Sequence, residues 1–376
     1  MEHSLVEKDG RITFFHDYLR TAVEHRYLPA VELKRTAHLR VADYFNAQPD
    51  DPRRIEELPW QFAEAEEWDR LVALLADPTF FMAPWDVWEY DVKRYWVQAE
   101  AGSSHRMVET YKPVIQEPAL APSSFVWTLR TLLYQTGHLD EASALGEWLI
   151  QSSKELGNVN SLQASLGNQA LILADRGDLD GAMKLHKEQE RICRELGNKD
   201  GLQASLGNQA NILYALGDLD GAMKLYKEQE RICRELGNVN SLQASLGNQG
   251  LILADRGDLD GAMKLYKEQE RICRKFGNVN SLPLSLGNQG LILADRGDLD
   301  GAMKLYKEEE RIYRKLGNVD DLAKSLINQA IVLSQQKRHR ESLSAAEEAY
   351  QLATGHGYAA VAKQILPILE KIRKGD

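Results

Sequence analysis

The chain has 376 residues, 43% hydrophobic and 27% charged, with three cysteines and a formal charge of −10 from 46 Lys plus Arg against 56 Asp plus Glu. That length allows two or three domains with sizeable apolar cores, and three cysteines are too few for a disulfide framework. The acidic balance works against the cationic surface a nucleic-acid duplex requires, no apolar run reaches membrane-spanning length, and residues 1–10 lack the basic-then-apolar order of a signal peptide, so the expectation is a cytoplasmic protein without nucleic-acid or membrane partners.

From the N-terminus, residues 8–15 (KDGRITFF) read as a short β-hairpin with Asp9-Gly10 at the turn. Residues 16–27 come next with a helical pattern, and residues 31–45 form a second helix opened by Pro29. Trp60, Trp68, Trp85, Trp88 and Trp96 all fall before residue 122. The aromatics of residues 80–96 are expected to fill a helical core rather than to cage a ligand. Residues 1–122 thus differ in composition from residues 123–376 and are predicted to form a separate domain.

Self-similarity dominates the rest of the chain. SLGNQ begins at Ser165, Ser205, Ser245 and Ser285, with SLINQ at Ser325, and GDLDGAMKL begins at Gly177, Gly217, Gly257 and Gly297. Both frames repeat every 40 residues, the mark of stacked units too small to bury an apolar face alone. Within one unit, Leu162, Leu166, Ala170 and Leu173 recur at helical spacing, as do Ala182, Leu185, Ile192 and Leu196. Gly177-Asp178 separates the two helices, glycine suiting a helix end and aspartate a helix start, and Gly197-Asn198 ends the second. Degenerate copies flank the clear ones: one around Gly137, and one at residues 322–354 in which Lys337 replaces the turn glycine. Residues 358–374 read as a closing helix interrupted by Pro367.

Leu166, Ala170, Leu173, Gly177 and Ala182, with Tyr226, Tyr266 and Tyr306 (His186 in the first copy), fill the pattern of the tetratricopeptide repeat, which this unit resembles. A period of 40 rather than about 34 is similar to kinesin light chain and nephrocystin-type proteins. Gln169, Gln209, Gln249, Gln289 and Gln329 depart from the family by standing where leucine is usual, and a buried amide there needs partners. The resemblance implies an all-α, right-handed solenoid of about six hairpins over residues 123–357, capped by 358–376. The segments DGRITFFHDYLRTAVEHRYL and ELPWQFAEAEEWDRLVALLADPTFF, spanning about residues 5–81, resemble the region after the nucleotide-binding module of STAND-type signalling ATPases. That likeness implies a small winged-helix remnant with its β-hairpin in residues 1–122. It also implies a possible nucleotide contact at His16, within Phe14-Phe15-His16, or else a histidine packed at a helix start. The chain itself has no G-x-x-x-x-G-K-[ST] loop, so an ATPase domain or subunit would have to come from elsewhere.

No constellation points to an enzyme, a metal or a cofactor. Aligning Asp178-Leu179-Asp180-Gly181 with a calcium loop puts Arg176 and Lys187 where acids are required. Cys193, Cys233 and Cys273 are equivalent positions of successive units and are expected as small apolar fillers. The informative pattern is the face of the first helices. Asn168, Asn208, Asn248, Asn288 and Asn328 form one row, Leu171, Leu251 and Leu291 a second, and Asp175, Asp255 and Asp295 a third. In the second clear copy, Asn211 and Tyr214 interrupt the rows and make a less acidic patch. Carboxamides offer donor and acceptor together, which suits peptide main chain in a concave groove; the alternative is that each amide bonds a neighbouring helix and holds the repeat spacing. The predicted function is a non-catalytic protein- or peptide-binding module, the sensing part of a STAND-type regulator. Alternatives are a nucleotide-responsive regulatory subunit beside a P-loop ATPase, or a small-molecule sensor.

Overall fold

The structure, a computed structural model, describes residues 5–8, 11–14, 17–49, 51–82 and 85–374. Two four-residue strands, β1 (Leu5–Lys8) and β2 (Arg11–Phe14), pair antiparallel with Leu5 opposite Phe14 and Lys8 opposite Arg11. They make the only sheet among the described residues. A lone two-stranded ribbon is marginal in water, and a wing requires a sheet packed on a helix-turn-helix core. The winged-helix remnant expected here is therefore not supported, and the fold is that of a helical solenoid. The turn residues Asp9-Gly10 and the pair Phe15-His16 lie outside the described residues.

The chain divides into two compact units, residues 1–178 and 179–376. The first carries α1 (Asp17–Tyr27), α2 (Val31–Asn46), α3 (Pro52–Glu64), α4 (Trp68–Ala76), α5 (Pro78–Met82), α6 (Trp85–Gly102), α7 (Met107–Gln116), α8 (Ser123–Gln135), α9 (Leu139–Glu155) and α10 (Val159–Asp175). Asp51 opens α3 by accepting the Arg54 N–H at 2.7 Å, with Pro52 supplying the preset backbone angle of a first helical residue. The core is aromatic. Phe80, Phe81, Tyr95 and Trp96 are buried, and the Trp96 and Tyr111 rings meet edge to face with centroids 5.5 Å apart. The Tyr111 hydroxyl donates to the Leu75 carbonyl at 2.8 Å, so its burial leaves no polar group stranded.

The second unit carries α11 (Leu179–Leu196), α12 (Lys199–Ala215), α13 (Leu219–Leu236), α14 (Val239–Asp255), α15 (Leu259–Phe276), α16 (Leu282–Asp295), α17 (Leu299–Leu316), α18 (Val319–Gln335), α19 (His339–Gly355) and α20 (Ala359–Lys374). Helices α12/α13, α14/α15, α16/α17 and α18/α19 are antiparallel hairpins. Each second (B) helix also packs on the first (A) helix of the next hairpin, and α20 closes the stack on α18 and α19. The D-x-D-G sequence that mimicked a metal loop is a helix cap: Asp218, Asp258 and Asp298 accept the N–H of Gly221, Gly261 and Gly301 at 2.9, 2.8 and 2.9 Å. A side chain on Gly221 would collide with that carboxylate, which explains the glycine. Asn198, Asn238 and Asn318 cap α12, α14 and α18 in the same way. Helix α16 starts late, at Leu282, where Pro283 sits in its first turn.

Polar bonds set one hairpin on the next. Gln209, Gln249, Gln289 and Gln329, buried on A helices, donate to Glu190, Glu230, Glu270 and Glu310 of the preceding B helices at 2.8, 2.7, 2.8 and 3.0 Å. Those carboxylates also accept Arg194, Arg234, Arg274 and Arg314, and each arginine reaches on to the next B helix, at Glu228, Glu268, Glu308 and Glu348. Ser205 and Ser245 hydroxyls add bonds to the carbonyls of His186 and Tyr226 at 2.7 and 2.8 Å. The Nε2 of each of these four glutamines is thus engaged in a chain running Gln–Glu–Arg–Glu through the stack, while the buried Oε1 of Gln329 has no hydrogen-bond partner among the described residues. Gly207, Gly247 and Gly287 leave room for Gln229, Gln269 and Glu309, into which a Cβ would run.

The turn before α19 keeps the left-handed backbone of its siblings without their glycine: Lys337 has φ 61 where Gly257 and Gly297 have φ 79. A side chain in that region costs roughly 1 kcal/mol. Lys337→Gly is expected to stabilise the C-terminal hairpin by about that amount, read as a higher urea midpoint at unchanged slope; an unchanged or lower midpoint would show that Lys337 carries no strain.

Candidate functional site on the exposed face of the A helices

In the second unit, the rows read from the sequence lie on the exposed side of α12, α14, α16 and α18. Asn208, Asn248, Asn288 and Asn328 are half-buried, while Leu251, Leu291 and Ile331 remain 36%, 46% and 36% exposed. From α14 to α18, a branched apolar side chain standing partly in water on each A helix makes an uncovered lane, interrupted at α12 by Asn211. In the first unit, Asn168 and Leu171 are half-buried on α10 and Asp175 is exposed. His16 is outside the described residues.

The rows are not equivalent along their length. Asn211 accepts two bonds at Oδ1, from the Tyr226 hydroxyl at 2.5 Å and from Asn248 Nδ2 at 3.3 Å, so Asn248 is already engaged by the neighbouring A helix. Asn208, Asn288 and Asn328 have no side-chain hydrogen bond among the described residues. Asp255 accepts the Tyr214 hydroxyl at 2.7 Å, and in the first unit Asp175 accepts Tyr134 at 2.7 Å. Asp295, with alanine at the position of that tyrosine one copy earlier (Ala254), has no partner among the described residues. The carboxylate of Asp255 holds the Tyr214 phenol above its ordinary range, and burial pushes the Tyr226 phenol up to about 12, so both act as donors. The patch at Asn211 and Tyr214 is therefore closed on itself, and, Asn208 on α12 apart, the open polar groups of these rows lie on α16 and α18.

The closing helix adds to this end. Pro367, Ile368 and Lys371 of α20 line a hollow with Ile331 and Ser334 of α18. Residues on α20 carry no 40-residue echo, so periodicity could not place them. Among the described residues no group of His, Cys, Asp and Glu could hold a metal ion, and no helix is long and apolar enough to cross a membrane. Cys193, Cys233 and Cys273 are buried and not joined in disulfides, and the Cys233 and Cys273 thiols donate to Gln203 and Gln243 Oε1 at 3.5 and 3.2 Å. Burial pushes the Cys233 and Cys273 thiols up to about 11, which suppresses thiolate chemistry.

Residues 281–355 match the family model described as Tetratricopeptide repeat. A TPR repeat-containing protein of Dictyostelium discoideum is 31% identical over 72 residues, 19% of this chain; the matched stretch spans only 4% of that relative's length. The fold is similar to a Signal Transduction ATPase with Numerous Domains (STAND) protein with a tetratricopeptide repeat sensor from Pyrococcus horikoshii. That likeness has a TM-score of 0.61 at 14% identity and covers 99% of this chain and 54% of that one. It is also similar to the quorum sensor NprR from B. thuringiensis in its apo form, with TM-score 0.52 at 12% identity over 80% of this chain and 78% of that one.

One buried group was not visible from the repeat pattern as a site. Glu309 on α17 stands where the other copies have Gln189, Gln229 and Gln269, and it is only 6% exposed. Burial raises its carboxyl to about 7, against the opposing bond from the Ser325 hydroxyl at 2.8 Å and with Asp321 adding to the rise. Native chain then holds this proton more tightly than unfolded chain. The stabilising contribution is complete below the ordinary carboxyl range and is lost as pH climbs through about 7. Glu309→Gln should therefore raise the unfolding midpoint at pH 8, by up to about 3 kcal/mol, and change it little at pH 4.5. Equal effects at the two pH values would rule the titration out.

Proposed function

We infer that this tetratricopeptide-repeat chain is a non-catalytic binding module whose A-helix face takes an extended peptide segment of a partner protein. The observation that carries the reading is the coincidence of unengaged amides with an uncovered apolar lane: Asn288 and Asn328 beside Leu251, Leu291 and Ile331. An extended main chain presents N–H and C=O groups along its length, and a carboxamide answers either one. Apolar side chains between them supply affinity that does not depend on the exact sequence. Asp295, unpaired beside Leu291, favours a basic side chain at that point in the ligand. Asn208 and Asp255 extend the same rows, and Asn168, Leu171 and Asp175 present the same residue types on α10. Asn248, Asn211 and Tyr214 act chiefly to hold neighbouring A helices.

The similarity to a STAND protein with a repeat sensor supports a regulatory role, in which this chain senses and a separate ATPase domain or subunit acts. In that reading residues 1–122 connect to the ATPase, residues 123–357 receive the ligand, and residues 358–376 cap the stack, all in the cytoplasm. The chain spans 54% of that structure, so the coupling to nucleotide hydrolysis belongs to what would be joined to it.

Peptides selected from a random display library on the full chain are expected to be enriched in Lys or Arg flanked by apolar residues. For such a peptide, Asn288→Ala with Asn328→Ala should weaken binding about tenfold, or ~1.4 kcal/mol, at an unchanged melting temperature. Asn248→Ala should instead lower the melting temperature, because Asn211 loses a donor. Undiminished affinity in the Asn288/Asn328 variant would overturn the groove as the site.

A further inference from the structure

The copies are near-identical, so the places where they part mark where chemistry was changed without changing the scaffold. One such place lies away from the A-helix face, in the cleft between the end of α13, the start of α14 and the end of α15. One repeat earlier, the equivalent cleft is bridged: Lys199 at the start of α12 pairs with Glu235 at the end of α13 at 2.9 Å, and Glu235 also accepts Arg231 at 2.6 Å. Both partners of that bridge are replaced forty residues on. Val239 stands for Lys199, Lys275 for Glu235, and Phe276 for Leu236.

The consequence is local and physical. A cleft of about 610 Å³ stays open, walled by Val239, Leu242, Ile272 and Phe276. Phe276 is 57% exposed, and the Lys275 ammonium lies 5.1 Å over its ring. Arg271, the counterpart of the paired Arg231, has lost its carboxylate, and neither Arg271 nor Lys275 has an ion-pair partner among the described residues. The late start of α16 belongs to the same neighbourhood, with Val279 in the preceding turn 50% exposed. Two cations without ion-pair partners rim an apolar slot in a chain of net charge −10; the next repeat keeps the cations as Arg311 and Lys315 but has Leu316 in place of Phe276, so the exposed aromatic is what sets this cleft apart.

We propose that this cleft is a second docking site, independent of the A-helix face, for an acidic peptide segment of a partner protein that carries an aromatic or branched apolar side chain between carboxylates. The apolar side chain enters against Val239, Leu242 and Phe276. A flanking carboxylate takes the place of Glu235, accepting from the Arg271 guanidinium, whose planar fork matches a carboxylate in two bonds, and a second pairs with Lys275. The bound peptide thereby restores from outside the ion pairs that the preceding repeat makes within itself. Phe276 offers the stacking face and Lys275, already over that ring, sets the polarity.

The neighbouring repeat supplies its own control. In the full chain, Val239→Lys with Lys275→Glu recreates the bridge of Lys199 and Glu235, an arrangement this scaffold already accommodates. The probe is a fluorescein-labelled peptide with two aspartates on each side of a phenylalanine, followed by anisotropy at low and physiological salt. Saturable binding is expected with the wild-type chain, at least tenfold weaker with the double variant, at least tenfold weaker when the aspartates become asparagines, and unchanged in the Asn288→Ala/Asn328→Ala variant. Lys275→Glu alone, which needs only the Arg231–Glu235 pair as precedent, should also weaken binding and serves if the double variant does not fold. Absence of saturable binding to wild type, full binding by either cleft variant, or equal binding of the asparagine peptide would each overturn the proposal. Loss of binding in the Asn288/Asn328 variant would place this peptide on the A-helix face instead.

Discussion

A stack of amphipathic hairpins bound by apolar contact alone has little to stop one layer sliding over the next, because hydrophobic burial is not directional. In the second unit that freedom is removed by a buried amide. Gln209, Gln249, Gln289 and Gln329 each find a carboxylate nineteen residues back, and an arginine carries the connection thirty-four residues forward to the next B helix. A one-turn slip would leave a buried Gln amide and a half-buried Glu without partners, a penalty apolar packing could not offset. Every placement on the A-helix face depends on this register, since it decides which asparagine lies beside which leucine.

Given a register fixed by the positions the copies share, the positions at which they differ are free to alter chemistry. Tyr214 in place of alanine covers Asp255, whereas Ala254 leaves Asp295 open. Lys275 in place of glutamate turns a self-satisfied rim into a cationic one. Glu309 in place of glutamine sets a titratable group inside the core, where burial rather than a partner governs its proton. Each change is one side chain on an unchanged backbone, as the matching caps at Asp218, Asp258 and Asp298 show.

Much of the repeat architecture was legible without coordinates. A period of 40 with glycine, aspartate and asparagine at fixed offsets states two helices and two capped turns, and the caps form as the residue types require. The exposed rows came from helical spacing, which is a property of a single helix and is copied from one unit to the next. The winged-helix remnant failed because it rested on a likeness in a segment without internal repetition, where pairing of two short strands says nothing about what packs on them. The aromatic core of residues 80–125 was legible only as composition, since edge-to-face contacts such as Trp96 with Tyr111 join residues with no common period.

Across the repeats the sequence by itself determined the alternation of helices, their capping residues and which residues share a face, because these depend on chemistry within a few residues along the chain. Tertiary structure alone decided which polar groups are spent and which are left over: that Asn248 is engaged and Asn288 is not, that Gln249 has a carboxylate waiting, that the rim of Arg271 and Lys275 is unpaired. Those outcomes turn on distances of about 3 Å between side chains some twenty to forty residues apart, and hydrogen bonds and ion pairs are decided at that scale.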